Sequence, residues 1–301
     1  MEQRNKKLIV IVGPTAVGKT AVAIKLAQFY TTEIISADSR QIFKELNIGT
    51  AKPTPAEMKL VPHHFINCKS ISDDYDAAQF SRDALPLITT LFKQYDTVIL
   101  CGGSGLYVKA VCEGFDDIPE TAKGVREELI QNYELYGLDW LQDKMKQLDP
   151  DHFYDMDSKN PHRLIRSLEV KITTGLSIAS FRTKNKMHHP FSLIKIGLEL
   201  PREDLYQKID ERMDRMIQEG LFEEAETLYP QRHRQALQTV GYKEIFDFMD
   251  GKYNRVEAMR LLKRNSRRYA KRQLTWFKRD LETRWFSAND MAKIIEKINE
   301  Q

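Results

Sequence analysis

Apolar residues follow two rhythms along the first hundred positions. Residues 8–12 form an unbroken apolar run that ends in a glycine-rich turn, and the next segment carries Val22, Leu26 and Phe29 at helical spacing. A strand and then a helix are predicted. A second run, Glu33-Ile-Ile-Ser-Ala, stops at Asp38, and a third, Thr97-Val-Ile-Leu-Cys101, runs into Gly102-Gly103-Ser104-Gly105 and another helix. Continuous apolar strands alternating with helices predict an α/β fold, its mainly parallel sheet covered by helices on both faces. Over residues 116–190 the strand rhythm vanishes. That stretch is charged and helical, with helix starts expected at Glu120 and at Asn160-Pro161 and stops near Gly137 and Gly175. Strand character returns at 191–200, and long amphipathic helices are expected at 202–219 and 254–278. The expected organisation is one core domain, residues 1–115 and 191–301, interrupted by an all-helical insertion at 116–190.

The length of 301 residues suits about two domains. With 42% hydrophobic and 30% charged residues the chain is neither disordered nor collagen-like. No apolar run approaches the ~18 residues of a membrane span, and the basic start at residues 1–7 leads into only five apolar residues. Neither signal peptide nor anchor is expected, and the chain reads as cytoplasmic. Cys68, Cys101 and Cys112 form no CxxC pair and are read as buried thiols. His63-His64 with Cys68, and His188-His189, lack the spacing of a zinc site.

The net charge of +3 conceals a division. Twelve Lys/Arg against three acids make residues 251–285 locally +9 and leave the rest of the chain at −6. Concentrated positive charge marks a polyanion-binding surface, so nucleic acid becomes a candidate partner. Arg260, Arg264, Arg267 and Lys271 step by four, three and four residues, which lines them along one helical face for phosphate contacts.

Gly13, Pro14, Thr15, Ala16, Val17, Gly18, Lys19 and Thr20 match GxxxxGK[ST] directly after a strand and at the start of a helix, the context of a P-loop. Its glycines let backbone N–H groups converge on phosphate oxygens, the helix dipole adds positive potential, Lys19 supplies a point charge and the Thr20 hydroxyl can ligate Mg²⁺. The core is therefore expected to be P-loop NTPase-like. An ATP- or GTP-hydrolysing machine should also carry a metal-holding acid at the end of another strand. The candidate strand ends instead in Cys101-Gly102-Gly103, while the acid, Asp38, closes the second strand. Strand ends on the carboxyl side line the ligand crevice, so Asp38 should lie beside bound phosphates. It either caps the turn that follows or abstracts a proton from an acceptor.

GPTAVGKT, then ISADSRQIFKELNIGTAKP, CGGSGLYVKA, NPHRLIRSLEV, TVGYKE and AKRQLTWFKR resemble, in this order and over nearly the whole chain, the tRNA dimethylallyltransferases, also called tRNA isopentenyltransferases, of bacterial type. The resemblance implies transfer of a dimethylallyl group from dimethylallyl diphosphate to the exocyclic amine of the adenosine 3′ of the anticodon. The P-loop would then hold a prenyl diphosphate, with Mg²⁺ as cofactor. Asp38 would be the general base, Lys19 and Thr20 would serve the leaving diphosphate, and Arg212 resembles the family arginine that reaches it. The resemblance places Asp38, Ser39, Arg40, Gln41, Ser104 and Arg126 at the tRNA. It adds His162, Arg163, Leu164, Ile165 and Arg166, and the block Gln238, Thr239, Val240, Gly241, Tyr242 and Lys243, where Tyr242 offers an aromatic ring for stacking. A monomer is expected. Two other readings remain: an adenylate isopentenyltransferase using a free nucleotide, and a P-loop kinase using ATP with Asp38 as base. The helical insertion and the basic block favour tRNA over both.

Overall fold

The computed structural model describes residues 6–116, 118–122, 124–182 and 187–300; the first five residues of the basic start lie outside the described residues. In chain order the structure runs β1 (Lys7–Val12), α1 (Lys19–Phe29), β2 (Ile34–Ser36), α2 (Pro55–Leu60), β3 (His63–His64), α3 (Ala77–Leu91), β4 (Thr97–Cys101) and α4 (Gly105–Cys112). Three helices follow, α5 (Val125–Leu148), α6 (Pro150–Asp155) and α7 (Pro161–Thr174). The chain then continues through β5 (Ser192–Glu199), α8 (Arg202–Gln218), α9 (Leu221–Leu228), α10 (Tyr242–Met249), α11 (Arg255–Phe277), β6 (Arg284–Ser287) and α12 (Met291–Asn299). It divides into two units, one formed by Met1–Gly114 with His188–Gln301 and one by Phe115–Met187.

In the larger unit the six strands form one sheet in the order β3-β2-β4-β1-β5-β6, and every pairing among them is parallel. The alternation within β1 explains why an unbroken apolar run was needed. Ile9 and Ile11 face a cluster built with α1, α8 and α12, while Leu8, Val10 and Val12 face one built with α3 and α4. Both faces are dry, and each fully buried aliphatic side chain contributes on the order of 1.5–3 kcal/mol. A third cluster joins Ile42 and Leu46, in the loop after β2, to Met213 and Met216 of α8, to α9, and to Tyr242 of α10. Helix α8 therefore packs on the sheet with its first half and on this cluster with its second. The short strands β3 and β6 were not legible from periodicity. Two residues show no alternation, and the β6 stretch straddles the end of the basic block.

The helical unit is built around Leu129, Leu141, Met145, Phe153 and Leu168, with Leu164 and Ile165. Asn160 caps α7 by accepting the N–H groups of His162 and Arg163, Pro161 fills the first helical position, and Gly175 ends the helix in a left-handed conformation. Helix α5 starts at Val125 rather than near Glu120, because Gly124, with φ +87°, forms the entry to the helix. Gly137, with φ +77° and ψ −168°, breaks α5 into two helical segments, where the sequence placed a stop.

Several expectations are revised here. Leu164 and Ile165 are buried in the unit's core, so their side chains are spent on packing and are not presented to a nucleic acid. Arg126 donates from Nη1 to both carboxylate oxygens of the buried Glu169, at 3.2 and 3.1 Å, and Arg166 adds a longer ion pair at 3.7 Å. These two arginines neutralise a carboxylate that α7 carries inside, whereas His162 and Arg163 remain on the exposed face of the same helix. Of the cysteines, Cys101 and Cys112 are buried, and burial pushes both thiols up to about 12. Cys68 is exposed, against expectation.

Replacing Arg126 by Ala leaves Glu169 buried with one distant partner, and should destabilise the helical unit by about 1–3 kcal/mol. His162→Ala should change stability by under ~0.5 kcal/mol. Chemical denaturation of both variants, followed by circular dichroism, checks the contrast.

Candidate active site

Beyond the carboxyl ends of β1, β2 and β4 lies a cavity of about 440 Å³, the size of a small-molecule pocket. The loop after β1 contributes Thr15, Gly18, Lys19 and Thr20, and the loop after β2 contributes Asp38, Arg40, Gln41, Thr50 and Ala51. Cys101 and Gly102 enter from β4, Arg212, Met213 and Met216 from α8, Thr239 and Val240 from the turn before α10, and Tyr269 and Gln273 from α11. Six segments separated in sequence meet here: the parallel strand order sets three strand exits at one edge of the sheet, and α8, α11 and the turn before α10 complete the wall.

No side chain caps the N-terminus of α1, and its first turn holds no acid. Gly18 enters the helix with φ +99°, and the positive end of α1 opens on the cavity. The Lys19 ammonium folds back to donate to the carbonyls of Gly13 at 3.1 Å and Pro14 at 2.7 Å. Burial lowers its pKa to about 8, against the raising influence of Cys101 and Asp38; the Arg212 cation lowers it further. Gln273 clamps the loop from α11, accepting the Thr15 N–H at 2.8 Å and donating to the Gly103 carbonyl at 2.9 Å.

Asp38 faces this basic group from β2. Its Oδ1 accepts the backbone N–H groups of Arg40 at 2.9 Å and Gln41 at 3.3 Å, while Oδ2 has no hydrogen-bond partner among the described residues. One oxygen is thus fixed and the other is available to take a proton. Burial draws the guanidinium pKa values of Arg212 and Arg40 down, and in both cases the Asp38 carboxylate opposes the shift. The Tyr269 hydroxyl, pushed up to about 12 by burial and then by Asp38, stays protonated. At the end of β4, where a metal-holding acid would sit in a nucleotide hydrolase, Gly102 passes so close to β2 that an added Cβ would lie 2.1 Å from the Ala37 carbonyl oxygen.

Among the described residues no three His, Cys, Asp or Glu side chains gather to hold a metal. The cavity offers a divalent ion the Thr20 hydroxyl. Magnesium is commonly held by one or two protein oxygens with phosphate oxygens and water completing the shell, so this donor set fits it.

The structure distributes the remaining nominated residues. Ser104 is engaged with Ser39, accepting its N–H at 2.8 Å and donating to its hydroxyl at 3.1 Å. Gln238 donates to the Arg232 carbonyl, Lys243 is exposed, and the Gly241 N–H donates to Glu244 at 2.9 Å. Tyr242 is fully buried and donates its hydroxyl to Glu224 at 2.6 Å, so it does not present a ring for stacking. The basic stripe on α11 divides as well. Arg267 pairs with Asp210, Lys263 with Asp214, and Arg260 forks onto its own helix neighbour Glu257. Two acids four residues apart on α8 thus take up two cations four apart on α11, Arg264 is half-buried and donates to Asn265, and Arg268, Lys271 and Arg272 are among the outward cations. Gln273 and Tyr269 were missed from sequence. Gln273 had a legible signal, a glutamine within the stripe of small and apolar positions that α11 buries.

Comparison with known proteins agrees with this architecture. The sequence model of the IPP transferase family matches residues 41–280. A tRNA dimethylallyltransferase of Cytophaga hutchinsonii is 51% identical over 98% of this chain and 97% of its own length. A tRNA dimethylallyltransferase 1 of Bacteroides fragilis is 46% identical over 97% of each chain. Among solved structures, the full-length tRNA isopentenylpyrophosphate transferase of Bacillus halodurans superimposes with a TM-score of 0.72 at 41% identity, covering 98% of this chain and 97% of that one. A eukaryotic dimethylallyltransferase acting on tRNA gives a TM-score of 0.79 at 25% identity, covering 98% and 77%.

Because burial holds Lys19 near 8, its ammonium is present below that pH and lost above it, and a bound polyanion would restore it. Affinity for inorganic diphosphate should therefore fall as pH rises from about 7.5 to 9.5, by up to ~10-fold per unit. Binding above pH 8 should take up a proton. Calorimetric titrations in two buffers of different ionisation heat measure both effects.

Proposed function

The chain belongs to the IPP transferase family, a family of transferases, and on that premise we propose that it moves a dimethylallyl group from dimethylallyl diphosphate to the exocyclic amine of the adenosine 3′ of the anticodon in tRNA. One observation carries the reading furthest. A phosphate-cradling loop and the carboxylate Asp38 share one cavity, while the strand end that holds a metal acid in nucleotide hydrolases carries Gly102. Such a site can bind a diphosphate and take a proton. The end of its β4 lacks the acid with which nucleotide hydrolases hold their metal.

The chemistry requires two devices. The adenine amine is a poor nucleophile because its lone pair is delocalised into the ring, so its proton must leave as the new bond forms. In the reaction the amine nitrogen bonds to C1 of the prenyl group, the C1–O bond breaks with its electron pair going to the diphosphate, and the amine proton passes to Oδ2 of Asp38. Lys19, Arg212 and the N-terminal amides of α1 bear the charge that develops on the leaving oxygen. Magnesium, when bound through Thr20 and the diphosphate, would supply further neutralisation of that oxygen. Met213, Met216 and Val240 give the cavity an apolar wall, which excludes water from a carbon that becomes cationic. Arg268, Lys271 and Arg272, exposed on α11, suit tRNA phosphates, and His162 and Arg163 of the helical unit offer the same chemistry from their own exposed face.

Purified protein incubated with Mg²⁺ and radiolabelled dimethylallyl diphosphate should label unmodified tRNA and leave AMP unlabelled. Label in AMP would assign a free-nucleotide enzyme, and label in neither would return the loop to ATP. Within the transferase, Asp38→Asn should lower kcat ~10²–10⁴-fold while diphosphate and tRNA binding persist. Undiminished kcat would remove Asp38 as the base.

A further inference from the structure

Glu224, on α9, takes no part in the chemistry above, yet its carboxylate is the most heavily bonded acid near the cavity. Oε2 accepts the backbone N–H groups of Asn47 at 3.1 Å and Ile48 at 2.9 Å, and Oε1 accepts that of Gly49 at 3.0 Å and the Tyr242 hydroxyl at 2.6 Å. Three successive amides form an anion-binding concavity, and an acid about 175 positions away in sequence fills it. Burial first, and then the carboxylate beside it, hold the Tyr242 phenol well above its ordinary range, so it remains a donor. Gly49 is required for this approach, since a Cβ there would lie 2.6 Å from the Tyr242 ring.

The tethered turn leads straight into the cavity wall. Thr50 and Ala51 follow it, Ala51 in a left-handed conformation (φ +46°), and their carbonyls accept from Gln41 Nε2 at 3.2 and 3.1 Å. The other end of that amide, Oε1, accepts from Ser36 at 3.2 Å. The Gln41 backbone N–H in turn donates to Asp38 Oδ1. A path of hydrogen bonds joined by short stretches of chain therefore runs from Glu224 through the turn at 47–49, the carbonyls of Thr50 and Ala51, and Gln41 to Asp38. Lys52 pins the same segment from its far side, donating to the Phe43 carbonyl and to Asn47 and Asn67.

We propose that Glu224, with Tyr242, is a positioning residue that sets the orientation of Asp38 through Gln41. The inference rests on the prenyl-transfer reading, in which Asp38 receives the amine proton. Misplacing a reacting group by an ångström costs up to ~10²-fold in rate, whereas the P-loop contacts to diphosphate are untouched by this path.

Glu224→Gln keeps the shape but turns a donor toward at least one of the amides. In this variant kcat should fall about 10- to 100-fold, with KM for dimethylallyl diphosphate and Kd for tRNA within about twofold of the parent. Combining it with Gln41→Ala should give a variant no slower than the slower single one, because both act on one path. Losses that multiply, or a KM that rises with kcat unchanged, overturn the proposal. Tyr242→Phe removes only one donor and guards against a misfolded Glu224 variant; its kcat should fall about 2- to 5-fold, and an unaltered kcat speaks against the path. Hydrogen exchange gives a readout independent of activity. Loss of protection at amides 47–49 accompanied by loss at amides 40 and 41 supports the link, and loosening confined to 47–49 refutes it. Coupled exchange in a protein that transfers no prenyl group to tRNA would discard the assigned reaction and keep Glu224 as the residue that orients Asp38.

Discussion

Lys19 carries an ammonium group into a cavity where burial makes that charge costly, and much of the surrounding structure is arranged to keep a cation there. Two carbonyls of its own loop accept its hydrogen bonds, Gln273 fixes that loop from α11, and Asp38 faces it from the exit of β2, one strand removed from β1 across β4. None of these groups is close to the others in sequence except within the loop. Their meeting depends on β1 being central and parallel to both neighbours, so that the chain leaves the sheet at the same edge each time. A cation poorly solvated before an anion arrives has most to gain when one does, which is the electrostatic preparation a leaving diphosphate requires.

The excess of positive charge serves two separate ends. Part of it is structural: Arg267 and Lys263 bind α11 to α8 through Asp210 and Asp214, and Arg126 and Arg166 neutralise Glu169 inside the helical unit. Lys195, buried within β5, is held by Asp280 and Glu282 in the segment before β6. What remains outward, Arg268, Lys271 and Arg272 among it, stays exposed to solvent, where the proposed reading has it meet tRNA phosphates. A count of local charge cannot make this separation, because a paired and an unpaired arginine contribute equally to it.

Tyr242 illustrates the same point for shape. A tyrosine between a glycine and a lysine, in a chain expected to grip RNA, reads naturally as a stacking platform. The fold turns it inward, where its ring closes over Gly49 and its hydroxyl completes the shell around Glu224. Leu164 and Ile165 went the same way, buried on the side of α7 opposite His162 and Arg163. In each case burial, which depends on partners distant in sequence, decided between two readings that local chemistry left equal.

The alternation of apolar strands and helices, the P-loop, the acid at the end of β2 and the helical stretch after α4 were legible in the order of residues, because strand and helix periodicity and glycine-rich turns are local properties. Lys19, Thr20, Asp38 and Arg212 could be nominated on the same grounds and by resemblance, and the structure gathers them around one cavity. Only the tertiary structure decided which cations are spent on carboxylates, that Gln273 clamps the P-loop, and that Glu224 anchors the turn beside Asp38. These are long-range pairings, and hydrogen bonds and ion pairs between segments leave no periodic trace in a sequence, since one polar side chain at the right place suffices and its partner lies wherever the strand order puts it.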